Sequence, residues 1–291
     1  MKFHKIAVLM ACIISTPALA WSNGGDFNGS VEFGGTVSPE KNPQLWQWKV
    51  GTGLGQFYND AEHMSENFTK LTINVTEAQP ILLGNTKSAL VAYDGAVGIT
   101  PKISFTDFEN NEITLNQDQS SSEGVGYLEL PVKIRNDNEK IGTVKINAKA
   151  VALGVVSLKD YSSTPYLFSA MSLKASSDDH LFYGALFNRS IADGYGKGNA
   201  LTSAFGNASL NDLKNVLSAH PLITYGPWLQ AADNYIRLSH DGAGVSAHEG
   251  VVTASYSLGI DAGQTLELEF DKPIASTTEW SAPLNIAVTY N

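Results

Sequence analysis

Apolar and polar residues alternate with period two at both ends of this chain and through much of the stretch between. From Asp26 to Val37, Phe27, Gly29, Val31, Phe33, Gly35 and Val37 hold the odd positions, with polar residues in most of the places between. That spacing predicts a strand with one buried face. Its glycine content is high for a strand interior and points to close backbone approach. Pro39 and Pro43 follow as a hinge. Short β-like runs succeed it at Trp46–Val50 and at residues 68–75, 102–105, 126–133 and 141–148. Asn136-Asp137-Asn138-Glu139 stands between the last two as the tip of a hairpin. Strands this closely spaced predict a sandwich rather than alternating βαβ units.

The pattern changes between about 155 and 250, where Ser, Gly and aromatic residues predominate. One helix is predicted over 209–220: Ser209 is its N-cap and Asp212 the acid three residues on. Leu210, Leu213, Val216 and Leu217 share a face, and Pro221 is the stop. Leu181–Phe187 is apolar and reads equally as strand or helix. Alternation returns over 251–260, 264–270 and Leu284–Tyr290. The expected fold is all-β, an incomplete immunoglobulin-like β-sandwich completed by a donor strand, with an inserted mixed α/β subdomain. The expected boundaries are 1–20 for a leader, 21–40 for the donor strand, 41–154 with 246–291 for the core, and 155–245 for the insertion.

The leader is read from its order: Lys2 and Lys5, an apolar run from Ile6 to Ile14, then Ala18-Leu19-Ala20 as a cleavage site. A retained interfacial anchor is the alternative. Cleavage after Ala20 removes the sole cysteine, Cys12, and with it any disulfide, thiolate catalysis or thiolate metal site. Loss of two lysines takes the formal charge from −10 to −12, which disfavours nucleic acid as a partner.

An alternating N-terminal segment, a prolyl hinge and an alternating C-terminal strand together suggest an assembly scheme. A sandwich lacking one strand exposes an apolar groove beside Leu284, Ile286, Val288 and Tyr290. The segment carrying Phe27, Gly29, Val31, Phe33 and Val37 from the next subunit can fill it. Burying the four larger side chains is worth roughly 1.5–3 kcal/mol each before entropy, and ladder hydrogen bonds about 1 kcal/mol apiece. Such a contact is head-to-tail and propagates into a filament. Periodicity alone equally allows these residues to be the first strand of their own sandwich.

The run Asp26–Val37 followed by Trp46-Gln-Trp-Lys-Val-Gly-Thr-Gly-Leu54 closely resembles the start of mature FaeG-type major fimbrial subunits of the chaperone–usher pathway. The resemblance resumes at Lys70–Thr76, Gln79–Lys87, Ile103–Phe108, Leu130–Lys133 and Gly142–Ala148, and closes with Trp280–Tyr290; it thins between about 155 and 245. It implies donor-strand assembly into a homopolymer, a periplasmic chaperone that caps the groove, an outer-membrane usher, no enzymatic activity and no cofactor. Tyr290 matches the penultimate tyrosine of many fimbrial subunits, whereas Thr277 stands where those often carry a glycine. The resemblance further implies that the subunit is itself an adhesin for host-cell glycans, with its site in the insertion.

A sugar presents an apolar C–H face and a rim of hydroxyls, so its site needs an exposed aromatic beside polar groups. The insertion offers Tyr166, Phe168, Phe182, Tyr183, Phe187 and Tyr195, with Lys174, Asp178, Asp179, His180, Asn188 and Arg189 as polar partners. Aromatics within an apolar run such as Leu181–Phe187 also read as core. Asp178-Asp179-His180, and His240 and Asp241 with His248 and Glu249, lack the spacing of a zinc or calcium motif and read as solvated loops. No nucleophile elbow forms at Ser246, because Ala247-His248 breaks the frame. The rival readings are a purely structural pilin and a secreted glycoside hydrolase.

Overall fold

A computed structural model describes residues 22–23, 27–31, 37–39, 45–92, 100–158, 167–175, 180–223, 229–231 and 250–290. The proposed leader lies outside the described residues. The strands of the first half are β1 (Ser22–Asn23), β2 (Phe27–Val31), β3 (Val37–Pro39), β4 (Trp46–Val50), β5 (Met64–Ser65), β6 (Lys70–Asn74), β7 (Gln79–Thr86), β8 (Leu90–Ala92), β9 (Pro101–Thr106) and β10 (Glu112–Ile113). Then come β11 (Val125–Ile134), β12 (Lys140–Leu158), β13 (Leu167–Ser172), helices α1 (Asn199–Ala204) and α2 (Leu210–Ser218), and β14 (Leu229–Ala231). The chain finishes with β15 (Gly250–Ile260), β16 (Thr265–Phe270), β17 (Trp280–Ser281) and β18 (Leu284–Tyr290). The protein is mostly β, and its helical part is small.

Among the described residues the strands form two sheets. The smaller runs β10-β9-β18-β2-β3; the larger follows β1-β4-β7-β15-β12-β16-β6-β5, with further strands attached to its sides. β12, 19 residues long, is the spine of the larger sheet. Its first half is flanked by β11 and β16, its second half by β13 and β15, so the sheet curls where the neighbours change. The expected hairpin is present: β11 and β12 pair from Val125↔Lys149 to Lys133↔Lys140, and Asn136 at the tip takes φ 66°. Asn tolerates that left-handed conformation better than most residues.

The core has two layers. Leu128, Leu130, Val144, Ile146, Leu266, Leu268, Ile286 and Val288 alternate along their strands into the space between the sheets. On the outer face of the larger sheet, Leu153, Val155 and Val251 meet Leu201, Phe205, Leu210, Leu213 and Leu217 from the helices. Helix α2 forms as its sequence predicts. Ser209 accepts from the Asp212 amide, Asp212 accepts from the Ser209 amide at 2.8 Å, and Leu210, Leu213 and Leu217 are buried. Val216 is half-buried. Helix α1 and the tight turn Gly194–Gly198 before it were not legible. That turn is ordered by Asp193, which accepts from the Gly196 amide at 2.7 Å and the Lys197 amide at 3.2 Å.

Two expectations need correction. β12 runs without a break across position 154, because Leu153–Leu158 pairs with β15 on one side and β13 on the other, so residues expected in the insertion belong to the larger sheet. Leu181–Phe187 is neither strand nor helix but a set of turns, with Phe182 at φ 62° and Gly184 at φ 84°. It folds that way because it plugs the sandwich. The Phe182 amide donates to the Pro101 carbonyl at 3.0 Å, and Leu181, Phe182, Ala185 and Phe187 all enter the inter-sheet core.

Candidate strand-acceptor groove and adhesive surface

β18 alternates as its sequence requires: Leu284, Ile286 and Val288 are buried and point between the sheets, while Asn285 and Ala287 are half-exposed. One edge of β18 pairs with β9, from Asn285↔Thr106 to Tyr290↔Pro101. The other edge takes β2, antiparallel, in the register Leu284↔Val31, Ile286↔Gly29 and Val288↔Phe27. β3 lies on the far side of β2, with Val37 opposite Gly29. The single strand expected from Phe27 to Val37 is therefore two short ones folded against each other. Phe33 lies outside the described residues. β1 pairs with the edge of β4, in the other sheet, so the N-terminal residues pair with strands of both sheets.

The two sheets are tied by side chains. The Trp48 indole N–H, on β4, donates to the Tyr290 hydroxyl, on β18, at 2.6 Å. Trp46 and Trp48 point inward from the same face and stack at 6.1 Å between ring centroids. Phe182 stands edge-on to Trp46 at 5.4 Å and to Trp48 at 6.4 Å, and Tyr256 completes the cluster. Gly84 faces Trp48 across the β4–β7 pair, and a Cβ there would lie 2.2 Å from the indole ring. The Tyr256 hydroxyl donates to the Ala185 carbonyl at 2.8 Å, and full burial pushes its pKa well above the ordinary tyrosine value.

The expected sugar-binding residues are dispersed rather than gathered. Phe182 is fully buried with its ring among aromatics, and Phe187 is 2% exposed, so neither offers a face to a sugar; the core reading of this run is the correct one for both. His180 is also buried. Tyr183 and Tyr195 are 41% and 42% exposed, and Asn188 is exposed. Arg189 is at the surface, but its guanidinium donates to the carbonyls of Gln119, at 3.2 Å, and Ser121, at 2.7 Å. Lys174 is half-buried beyond β13, and the backbone of Phe168 pairs with Ser157 and Leu229. Tyr166, Asp178 and Asp179 lie outside the described residues, as do His240, Asp241, His248 and Glu249. Among the described residues, no group of three or more His, Cys, Asp or Glu is placed to hold a metal ion.

Sequence reasoning missed a buried chain of amides under the helices. Gln47 donates to Asn85 at 2.8 Å, and Asn85 to Asn207 at 2.9 Å. Asn207 in turn donates to the carbonyls of Tyr256, at 2.7 Å, and Gly84, at 3.1 Å. The available signal was Asn85 interrupting the apolar run of β7 on a face that the strand pattern marks as covered.

A profile described as "Fimbrial, major and minor subunit" matches residues 1–291. The chain belongs to this K88-type fimbrial subunit family. It is 38% identical over 301 residues to K88 fimbrial protein AD and 37% identical over 300 residues to K88 fimbrial protein AB, both from Escherichia coli, with all of each chain covered. The F41 fimbrial protein of the same species is 26% identical over 98% of both chains. These relatives are fimbrial subunits, not enzymes, and membership makes this chain a surface component that polymerises into fimbriae. Among the described residues no helix is long and apolar enough to cross a membrane.

Proposed function

We propose that this fimbrial subunit polymerises by strand donation and that the resulting filament adheres to host glycans. The observation that carries the first part is the pairing of β2 with β18. The C-terminal strand has one edge occupied by β9, and its other edge accepts the N-terminal segment over five residue pairs. An open edge beside buried Leu284, Ile286 and Val288 would leave unpaired backbone groups over an apolar floor, which is costly in water. Within one chain the segment closes on its own groove. In the filament the same register joins consecutive copies, and head-to-tail contact extends without closing. Export removes residues 1–20 after Ala20, a periplasmic chaperone occupies the groove before assembly, and an outer-membrane usher exchanges chaperone for subunit.

The same pairing also favours a second reading, in which β2 remains in its own domain and subunits join elsewhere. Deleting residues 21–40 separates the two. Under strand donation the truncated chain aggregates or stays with its chaperone, and a synthetic peptide of residues 26–37 restores a stable, monomeric, assembly-blocked subunit. A truncated chain that still builds fimbriae would remove the donation reading.

The adhesive part draws its support from the sequence resemblance and from polar and aromatic groups the insertion leaves at the surface, among them Tyr183 and Asn188. Glycan-array binding by purified fimbriae that disappears on exchange of residues 174–189 for another family member's segment supports it. Absence of binding to every glycan and epithelial surface would leave a structural pilin.

A further inference from the structure

The sandwich has two unlike ends, and strand direction sets which end of one copy meets which end of the next. Leu45 precedes β4, and its carbonyl accepts from the Lys87 amide at 2.7 Å. Trp46 packs edge-on against Phe182, whose amide donates to the Pro101 carbonyl, and Pro101 is the register partner of Tyr290. The chain therefore enters its own domain at the end where β18 finishes. The opposite end, where β18 starts, gathers distant segments. Phe57 stacks on Trp280 with ring centroids 6.4 Å apart, Trp280 pairs with Ile134, and the Arg135 guanidinium donates to the Gly55 carbonyl at 2.6 Å. Two large side chains stand out from this end: Tyr58 is 90% exposed and Phe68 49%. Glu66, Asn67 and Phe68 take φ 48°, 56° and 65° in succession. Left-handed backbone is unfavourable for a bulky residue such as Phe68, and strain of that kind persists where it serves a site.

We propose that this aromatic end is a second contact between consecutive copies of this chain, seated against the Leu45 end of the copy that donates its strand. The inference rests on strand donation. In the β2–β18 register Phe27 lies opposite Val288 and Val31 opposite Leu284, so a donated strand runs toward the end carrying Tyr58. Folded back as β2 and β3, the segment would bring Pro39 beside Phe27 and leave where the acceptor's own linker departs, crowding successive bodies at one end. Opened into one strand, it leaves past Leu284, and the donor's body follows at the Tyr58 end. Fourteen residue steps join Val31 to Leu45, a tether averaging about 20 Å end to end when relaxed. A tether that short holds the facing ends at roughly millimolar effective concentration, so a contact too small to join free subunits still forms. Tyrosine suits it, offering a large rigid face with little rotamer entropy to lose. The contact stiffens the joint between subunits.

The test uses assembled fimbriae carrying Leu45→Cys with Tyr58→Cys, treated with a short bis-maleimide. Within one domain these positions lie at opposite ends of the sandwich, so the reagent reports neighbouring copies. The double variant should give a ladder of covalent multimers, and each single variant should stay monomeric. In electron micrographs Tyr58→Ala should leave assembly intact and shorten the filament's persistence length by about twofold or more, because the linker alone then holds the joint. Tyr58→Phe should preserve it. No ladder from the double variant, or a Tyr58→Ala filament as stiff as the parent, overturns the inference. A cysteine pair at the register partners Asn28 and Ala287 separates this failure from that of donation. Multimers from that pair with only monomer from Leu45 and Tyr58 leave donation standing and remove the end contact; an internal bridge at Asn28 and Ala287 removes both.

Discussion

Trp48 does two jobs that a phenylalanine could share only in part. Its ring fills the space that Gly84 leaves, and its N–H ties β4 to Tyr290 at 2.6 Å. Trp48→Phe should cost about 1 kcal/mol or more in urea unfolding, with Tyr290→Phe costing a similar amount and the double variant little beyond either. Gly84→Ala puts a methyl group into the indole and should destabilise by about 1–3 kcal/mol. Phe182→Ala should remove about 3–5 kcal/mol of stability, a core loss that thermal unfolding separates from any change in adhesion. Asp193 offers a pH probe. Its two backbone hydrogen bonds hold its pKa below the ordinary carboxylate value. The stabilisation they give is therefore present above that ordinary value and lost as pH falls through the lowered one. The Gly196 amide resonance should report this by titrating below the range of a free aspartate.

At the scale of elements, period-two alternation located strands that have one face on the core: Trp46–Val50 and Leu284–Tyr290 match their predicted bounds. Helix α2 was legible because capping is local, and Ser209→Ala should cost about 1 kcal/mol. What alternation could not give was the plug at 181–187. Its apolar content belongs to a core whose other walls, Trp46, Trp48 and Tyr256, lie far away in sequence, and no local period records that. Assigning Phe182 to a sugar site failed for that reason. The docking of the helices was equally hidden, since it depends on amides of Gln47, Asn85 and Asn207 drawn from three separate segments. Asn207→Ala should leave buried carbonyls unpaired at about 1–3 kcal/mol. Hydrogen exchange should then accelerate in α1 and α2 before it does in β12.

For the whole molecule, the arrangement resolves into a sandwich whose last strand borrows its outer neighbour from the chain's other end. The β2–β18 register fixes which residues meet but not which copies they come from, and assembly turns on that choice. Asn28 and Ala287 are direct partners in the register, and Cys12, in the proposed leader, is the only cysteine of the chain. A double variant, Asn28→Cys with Ala287→Cys, can therefore report the partner directly when assembled fimbriae are oxidised and run under denaturing, non-reducing conditions. Donation between subunits predicts a ladder of covalent multimers that collapses to monomer on reduction. A single band of internally bridged monomer from intact filaments would contradict it.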